Sequence, residues 1–238
     1  MLPEPTLVQR IVGEWHFPML VWRLSAPALA ISTGPLGGGI GERRWVINAG
    51  VPVAYGLADP ADHLGEMAYG LGLAGPGVGL LTAIDVAGFV AVGDGGVRLW
   101  ATVGLTAPIL AFDPASVPAA ITQSTAITQP TAEQQPPAER QPDSVSRPGT
   151  INVVAWVPRR LSDGALVNMV ATVTEAKAQA LRDLGLDATG TATDGVCVLC
   201  PPHGPEAEYG GPRSLWGEPL ARTAYQAVRD GGRAFIGT

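Results

Sequence analysis

The 238-residue chain is predicted to have an α+β fold, with helices packed against a mixed, largely antiparallel sheet in a single domain. Several short apolar runs have strand character, and three longer segments have helical periodicity. A Gly-Asp-Gly-Gly turn at residues 93–96 joins two of the apolar runs in the manner of a hairpin. Antiparallel pairing is therefore expected in the sheet.

The predicted elements follow from apolar runs and from capping residues. Asp59 followed by Pro60 is a favourable start for the first helix, and Gly217 to Pro219 opens the last one in a similar way. We expect helices near residues 60–73, 162–184 and 217–231. We expect strands near residues 21–25, 28–33, 44–54, 78–83, 87–93, 97–104, 151–157 and 195–200.

Residues 113–148 interrupt this pattern, because Pro, Gln, Thr, Ala and Ser dominate there without apolar periodicity. Such a segment buries too little apolar surface to offset its conformational entropy. We predict a disordered Pro/Gln-rich linker or insertion inside one domain. Residues 1–112 and 149–238 are then the two halves of that domain.

The two halves also resemble each other. Ile47-Asn48 is followed by Leu-Ala-Asp59, a helix, a Gly-Leu pair and a strand; Ile151-Asn152 is followed by Leu-Ser-Asp163 and the same series. This order suggests a duplicated strand-helix-strand unit and an approximate two-fold axis within the domain.

Composition excludes several classes of function. The net charge of -6 and the pI near 5.0 argue against a nucleic-acid partner, which a concentrated basic surface would attract. The N-terminus lacks the pattern of a signal peptide, and the longest apolar run, residues 78–92, is too short to span a membrane and contains Asp85. A cytoplasmic protein without a membrane partner is expected; the oligomeric state is not indicated.

Cys197 and Cys200 form a C-x-x-C motif, which a redox pair or half of a zinc site would also show. The flanking residues predict a strand, in which positions three apart face opposite sides. Only three histidines are present, at positions 16, 63 and 203, and none lies at a helical metal spacing from another His or Cys. No metal and no cofactor is expected.

The helix predicted over residues 162–184 carries two candidate catalytic residues. Lys177 falls inside the apolar stripe of this helix, where an ammonium group needs a partner, and Asp194 is the most attractive one. Glu175 lies about 200° around the helix from Lys177. Spacing alone favours a surface glutamate that pairs with Arg182.

Small polar residues form three further groups at the ends of apolar elements, where chemistry is often placed. Gly190 to Asp194 contains Thr191 and Thr193, whose hydroxyls could orient a polar substrate. Thr150 and Asn152 offer a hydroxyl and an amide on one side of a strand. Thr82 and Asn48 are their approximate counterparts in the first half.

The glycine-rich segment at residues 34–41 does not fit a phosphate loop, because it lacks the Gly-Lys-Ser/Thr ending and a strand is expected after it. Gly38 and Gly39 instead suggest a close backbone approach to a ligand, or a flexible cover over one. A Ser-His-Asp triad is not evident, since Ser32 lacks a strand-to-helix elbow and His63 lies in a predicted helix.

Several motifs, in this order, resemble the adenosylcobinamide amidohydrolase family. They are Gly37-Gly38-Gly39, Asn48, Asp59, residues 78–83, Gly149-Thr150-Ile151-Asn152, Thr174-Glu175-Ala176-Lys177 and residues 190–194. The resemblance covers residues 20–112 and 148–236. It implies hydrolysis of the amide of adenosylcobinamide, a corrinoid, to adenosylcobyric acid and 1-amino-2-propanol, and it favours a site role for Glu175.

Amide hydrolysis requires an activated nucleophile, oxyanion stabilisation and a proton for the amine. Under the resemblance, Glu175 or Asp194 activates water, Lys177 supplies a cation or a proton, and a threonine nucleophile is an equal alternative. Oxyanion donors would come from Asn48, Asn152, Thr82 or Thr193, and the other substrate-binding candidates are Thr150, Thr191, Gly38 and Gly39. Residues 103–110 and the insertion depart from the family pattern. A corrinoid-binding module without catalysis, an amidase with another substrate and a nucleotide-binding protein are the alternatives.

Overall fold

Strands and helices alternate in two similar series along the chain. The computed structural model describes residues 2–12, 15–52, 59–113 and 149–237. The predicted insertion lies outside the described residues except for Asp113, as does the end of the strand predicted over 44–54. The helices are α1 (Pro60–Gly70), α2 (Asp163–Asp183) and α3 (Gly217–Ile236). The strands are β1 (Thr6–Val8), β2 (Ile11–Val12), β3 (Trp15–His16), β4 (Met19–Ser32), β5 (Gly39–Gly50), β6 (Gly77–Thr82), β7 (Val90–Asp94), β8 (Val97–Val103), β9 (Ile151–Trp156), β10 (Arg160–Leu161), β11 (Gly195–Cys200) and β12 (Glu206–Ala207).

Local signals explain where the helices begin and end. The Asp59 carboxylate accepts hydrogen bonds from the first backbone N–H groups of α1, which confirms the predicted cap. Ser162 caps α2 in the same way. The third helix extends five residues beyond its predicted end and stops at Gly237, whose φ of 76° is the left-handed conformation that glycine allows at a helix terminus.

Eight strands form the main sheet, in the order β6-β5-β4-β11-β9-β8-β7, with β1 paired to β4. The pairs β5–β6 and β9–β11 are parallel, and the other pairs are antiparallel. The predicted α+β class, with its mixed and largely antiparallel sheet, is confirmed. So is the hairpin between β7 and β8.

The predicted strand-helix-strand series is present in both halves. β4, β5, α1 and β6 follow the same order as β8, β9, α2 and β11, and in each series a helix connects two parallel neighbours. The β6-β5-β4 half of the sheet thus repeats in β11-β9-β8. Asn48 lies near the end of β5, opposite Leu80 of β6, and Asn152 lies near the start of β9, opposite Gly195 of β11.

The helices cover one face of the sheet, and the sheet curls around its other face. Ile47 packs with α1 and Val153 packs with α2 and α3, whereas their strand neighbours Val46 and Val154 belong to a cluster that contains no residue of these helices. Within that cluster the rings of Trp22 and Trp100 lie 5.9 Å apart, although β4 and β8 are not neighbours in the sheet. The curl therefore brings side chains of distant strands together on the inner face.

Some predicted elements differ from the observed ones. The strands predicted over 21–25 and 28–33 form one strand, β4, whose register is interrupted between Arg23 and Ala28. Pro27 lies in this interruption, because proline cannot donate to a neighbouring strand. Residues 86–88 form a 3₁₀ turn rather than the start of a strand. The short strands β1, β2, β3, β10 and β12 were not predicted.

Within the described residues, no helix combines the length and the apolar character that a membrane crossing requires.

Candidate functional site

The turn between α2 and β11 surrounds the carboxylate of Asp194 with hydrogen-bond donors. Oδ1 accepts from the Ile151 backbone N–H at 2.8 Å and from the Thr191 hydroxyl at 2.6 Å. Oδ2 accepts from the Thr191 backbone N–H at 3.0 Å and from Lys177 Nζ at 2.5 Å. Four donors from three segments of the chain thus fix both oxygens.

Lys177 approaches this carboxylate from the buried face of α2. Its side chain is 11% exposed and that of Asp194 is 10% exposed. The predicted pairing is confirmed, and it satisfies an ammonium group that lies among apolar residues.

Gly190 allows the turn to close over this ion pair. A Cβ atom at this position would lie 2.5 Å from Asp194 Oδ2 and 2.6 Å from Lys177 Nζ. Both distances are shorter than real Cβ contacts, so any side chain here would displace one of the charged groups. The glycine that opens the predicted 190–194 motif is therefore explained by packing against the pair.

A pair of threonine hydroxyls lies beside Asp194. The hydroxyls of Thr150 and Thr193 are 2.7 Å apart, and Thr193 also donates to the Gly149 carbonyl at 3.1 Å. Because Thr193 has one hydroxyl proton, Thr150 is the donor in the bond between the two hydroxyls. The Thr150 oxygen retains its capacity to accept a hydrogen bond.

Two asparagines from the two halves of the chain meet on the inner face of the sheet. Asn152 Nδ2 donates to Asn48 Oδ1 at 2.8 Å and to the Leu81 carbonyl at 2.9 Å. Asn48 Nδ2 donates in turn to the Thr102 hydroxyl at 3.0 Å. All three side chains are 2% exposed. The chain of hydrogen bonds links β8, β5, β9 and the end of β6.

A cavity of about 290 Å³ opens beside these groups. Five of the predicted site residues line it: Thr82, Thr150, Asn152, Thr193 and Asp194. The remaining lining residues were not predicted for the site and are mostly apolar: Thr33, Gly34, Pro35, Val51, Pro52, Pro60, Leu80, Leu81, Ala83 and Gly195. Some of these residues lie inside the motif at residues 78–83, and Thr33 to Pro35 lie at the start of the glycine-rich segment. These positions are the signal that could have identified them.

Three predicted residues lie behind the cavity wall rather than on it. Lys177 and Thr191 contact Asp194, and Asn48 contacts Asn152. None of the three is among the lining residues. Each of the three therefore holds a residue of the cavity wall without lining the cavity itself.

The structure does not bring Glu175 to this cavity. Its side chain is exposed on the opposite side of α2 from Lys177, as the angle of about 200° between them requires. It borders two shallow grooves on the helical face of the molecule, one with Leu110 and Thr189 and one with Arg213 and Tyr225.

The glycine-rich segment packs against β6 instead of contacting the cavity at Gly38 or Gly39. The Leu36 carbonyl accepts from Gly79 N–H at 3.0 Å, and Gly37 has a φ of 68° where the backbone passes close to Gly77. Gly39 is the first residue of β5. Close backbone approach is observed, but the partner is a neighbouring strand.

The two cysteines lie in β11 as predicted, and both are buried. Cys197 belongs to the inner cluster and Cys200 to the helical one, so their side chains face opposite sides of the sheet. Burial raises the pKa of the Cys197 thiol to about 12 and also raises the pKa of Cys200. Within the described residues, no group of three or more His, Cys, Asp or Glu side chains is arranged to hold a metal ion.

A family model and two relatives point to the same family. A family model described as adenosylcobinamide amidohydrolase matches residues 5–237. An adenosylcobinamide amidohydrolase of Methanosarcina mazei is 25% identical over 211 residues, which cover 85% of this chain and 88% of the relative. Another, of Halobacterium salinarum, is 41% identical over 81 residues, which cover 34% of this chain and 35% of the relative.

Among solved structures, the crystal structure of a protein from Pyrococcus horikoshii OT3 aligns with a TM-score of 0.42 and 12% identity, covering 96% of this chain and 82% of that chain. The family assignment does not depend on this alignment. Because the family model spans residues 5–237, the chain belongs to the adenosylcobinamide amidohydrolase family, a family of hydrolases.

Proposed function

We propose that this protein hydrolyses the amide bond of adenosylcobinamide and releases adenosylcobyric acid and 1-amino-2-propanol, a reaction of corrinoid salvage. The observation that carries the proposal is the arrangement of Asp194. Its carboxylate is fixed by four hydrogen bonds on the wall of a cavity that also presents the hydroxyls of Thr82, Thr150 and Thr193. The family to which the chain belongs supports the identity of the substrate.

Asp194 is the proposed general base. It is the carboxylate on the cavity wall, whereas Glu175 is exposed on the far side of α2. A water molecule beside Asp194 would attack the amide carbon and transfer a proton to the carboxylate, and one of the four donors that hold the carboxylate would give way to that proton. Cleavage of the carbon–nitrogen bond then returns that proton to the departing amine, so that water is the one reactant added.

Lys177 and Thr191 are proposed as positioning residues. Both hold Asp194 by direct hydrogen bonds without lining the cavity. A base that is already held in one orientation loses little entropy when the substrate binds, and this lowers the barrier of the reaction.

Thr82 is the proposed donor to the oxyanion. Both N–H groups of Asn152 are used by partners inside the protein, Asn48 does not line the cavity, and the Thr193 hydroxyl donates to Gly149. Thr82 Oγ1 accepts a long hydrogen bond of 3.4 Å from Ile84 N–H, and no acceptor among the described residues contacts its hydroxyl proton. That proton is available to the cavity.

The size of the cavity indicates which part of the substrate enters it. A volume of about 290 Å³ is at the lower end of small-molecule sites and suits the propionamide arm with its aminopropanol group. The corrin ring, with the adenosyl ligand, would remain at the mouth. The apolar residues Val51, Pro52 and Pro60 would contact the hydrocarbon part of the arm.

Incubation of the purified protein with adenosylcobinamide, followed by mass spectrometry, tests this proposal. We expect adenosylcobyric acid and 1-amino-2-propanol in equal amounts, and products formed at least about 100-fold more slowly with Asp194→Asn. Binding of the corrinoid without products would support a carrier function instead. The absence of both products and binding would overturn the proposal. The cytoplasmic location stays a prediction from the sequence.

A further inference from the structure

We infer that Asn152 determines specificity for the leaving group, by accepting a hydrogen bond from the amino-alcohol part of the substrate through Oδ1. The inference rests on the proposed function, because it assumes that an amide with such a leaving group enters the cavity. It assigns Asn152 a role as an acceptor, whereas the family resemblance made this residue one of four candidate oxyanion donors.

The orientation of the Asn152 amide follows from a backbone carbonyl. The Leu81 carbonyl can only accept hydrogen bonds, and it lies 2.9 Å from one end of the amide. That end is therefore the nitrogen. The second hydrogen of Nδ2 points to Asn48 Oδ1 at 2.8 Å. With both hydrogens used, Asn152 has no donor left for a ligand.

The partners behind Asn152 fix this orientation further. Since Asn48 receives the Asn152 N–H through its oxygen, its own nitrogen faces Thr102, whose hydroxyl accepts at 3.0 Å. Reversal of either amide would place two donors or two acceptors against each other. Such a mismatch leaves buried polar groups unsatisfied, which is unfavourable at residues that are 2% exposed.

The amide oxygen of Asn152, Oδ1, lies next to Gly195, where the cavity wall has no side chain. A Cβ atom on Gly195 would lie 2.7 Å from Asn152 Oδ1, and both residues line the cavity. Among the described residues, no donor contacts Oδ1. Gly195 thus leaves space in front of an acceptor that the protein itself does not satisfy.

The leaving half of the proposed substrate offers two donors, the amide N–H and the hydroxyl of aminopropanol. Either could meet Oδ1, and both belong to the same amino-alcohol group. An acceptor at this place favours leaving groups with an N–H or O–H donor and disfavours those that present an oxygen without hydrogen.

Gly195→Ala tests the inference, because its Cβ would occupy the space in front of Oδ1, closer than real Cβ contacts allow, so that the oxygen is covered or displaced. Gly65→Ala is the control, since a Cβ on this α1 residue meets nothing within 4 Å and Gly65 does not line the cavity. Both variants are compared with the unaltered protein on three corrinoids. These are adenosylcobinamide, its analogue with aminopropane in place of aminopropanol, and its analogue with an ester in place of the amide.

The quantity to compare is the ratio of kcat/KM between substrates, because intrinsic reactivity then cancels between variants. We expect the kcat/KM ratio of adenosylcobinamide to one of the two analogues to be about tenfold higher in the unaltered protein than in Gly195→Ala. A tenfold difference is the effect of one hydrogen bond to a buried acceptor. Gly195→Ala should remove this preference, and Gly65→Ala should retain it. The affected analogue identifies the donor as the hydroxyl or the amide N–H. Equal loss on all three substrates would overturn the inference.

Asn152→Leu provides a second test, because leucine has a similar volume but no acceptor. We expect this variant to lose the preference between the substrates. Thr102→Val is its control and should keep the preference, because the Leu81 carbonyl still holds the Asn152 nitrogen and leaves Oδ1 towards the cavity. An unchanged preference in a folded Asn152→Leu variant would contradict the inference, also where Gly195→Ala fails to fold.

Dissociation constants of the same three corrinoids separate this inference from the proposed function. If the unaltered protein binds adenosylcobinamide but does not hydrolyse it, the proposed function is wrong, and the ratio of Kd values still reports the acceptor. We expect the same tenfold ratio there, and its loss in Gly195→Ala. If no corrinoid binds, both the proposed function and this inference are overturned.

Discussion

Lys177 Nζ lies 2.5 Å from Asp194 Oδ2 in a place where both side chains are about nine-tenths buried. An ion pair of this kind gives little net stability by itself, because each ion loses its hydration. Removal of one partner is different, since it leaves an uncompensated charge in the protein interior. The effects of Asp194 on stability and on catalysis can therefore be separated by substituting one partner or both.

Asp194→Asn is expected to lower kcat by at least 100-fold, because the amide cannot accept a proton from water. It should also lower the free energy of unfolding by about 3–5 kcal/mol, because Lys177 then lacks a counter-charge. Denaturant unfolding and steady-state kinetics measure the two effects.

The double variant Asp194→Asn/Lys177→Met separates them. It should recover most of the lost stability, since the unpaired ammonium is gone, but none of the activity. Recovery of activity in the double variant would show that Asp194 serves only to neutralise Lys177.

Gly190→Ala is expected to disturb the ion pair without changing any charge. The new Cβ would lie within 2.6 Å of both charged groups, so the turn or the lysine has to move. We expect a loss of about 1–3 kcal/mol in the free energy of unfolding, together with reduced activity. Gly164→Ala is the matched control, because a Cβ there comes no closer than 3.9 Å to another atom. Equal melting temperatures for the two variants would contradict the proposed contact.

Helical periodicity predicted the two faces of α2 from the sequence. A rotation of 100° per residue places Lys177 on the apolar stripe and Glu175 away from it, and the structure has Lys177 buried and Glu175 exposed. Asp194 could be proposed as the partner because it directly precedes the strand that follows this helix. Local spacing was sufficient for this part of the site.

The contact between Asn48 and Asn152 could be suspected from the repeat, but the repeat alone does not require it. β4 and β11 separate their strands in the sheet, so the two amides meet only because the sheet curls. The packing of the segment with Gly38 and Gly39 could not be predicted for the same reason. This segment contacts β6 because β6 is the neighbour of β5 in the sheet. Spacing along the chain describes one element at a time, whereas these contacts depend on how the elements pack.

Glu175→Gln is expected to leave kcat/KM for adenosylcobinamide within about twofold of the unaltered protein. The side chain is exposed and borders grooves on the helical face rather than the cavity. A surface substitution of this kind changes stability by less than about 0.5 kcal/mol. A large fall in kcat with retained corrinoid binding would restore Glu175 as the base and remove Asp194 from that role.

Thr82→Val is expected to lower kcat by about 100-fold with little change in KM, if the hydroxyl donates to the oxyanion. Thr82→Ser retains the donor and should keep most of the activity. The effect on folding should be small, because the one hydrogen bond accepted by this hydroxyl is long, at 3.4 Å. Equal activity of the valine and serine variants would show that the oxyanion is stabilised elsewhere.

Cys197 is expected to make stability depend on pH in the alkaline range. Burial raises the pKa of its thiol from 9.0 to about 12 in the folded protein. Below pH 9 the thiol is protonated in both the folded and the unfolded protein, so it does not make stability depend on pH there. Between pH 9 and 12 the unfolded chain loses this proton while the folded protein keeps it, so the free energy of unfolding falls by about 1.4 kcal/mol per pH unit.

Cys197→Ala isolates this effect, because Cys200 and the other titrating groups are common to both proteins. Urea unfolding at intervals from pH 8 to 11 should show a difference between the two proteins that is constant up to pH 9 and then shrinks as the pH rises. The Cys197 thiol should also resist iodoacetamide at pH 8 until the protein unfolds, because the reactive thiolate is almost absent in the folded state. A parallel pair of pH profiles would mean that the Cys197 thiol is hydrated in the folded protein and that the inner face of the curled sheet admits water.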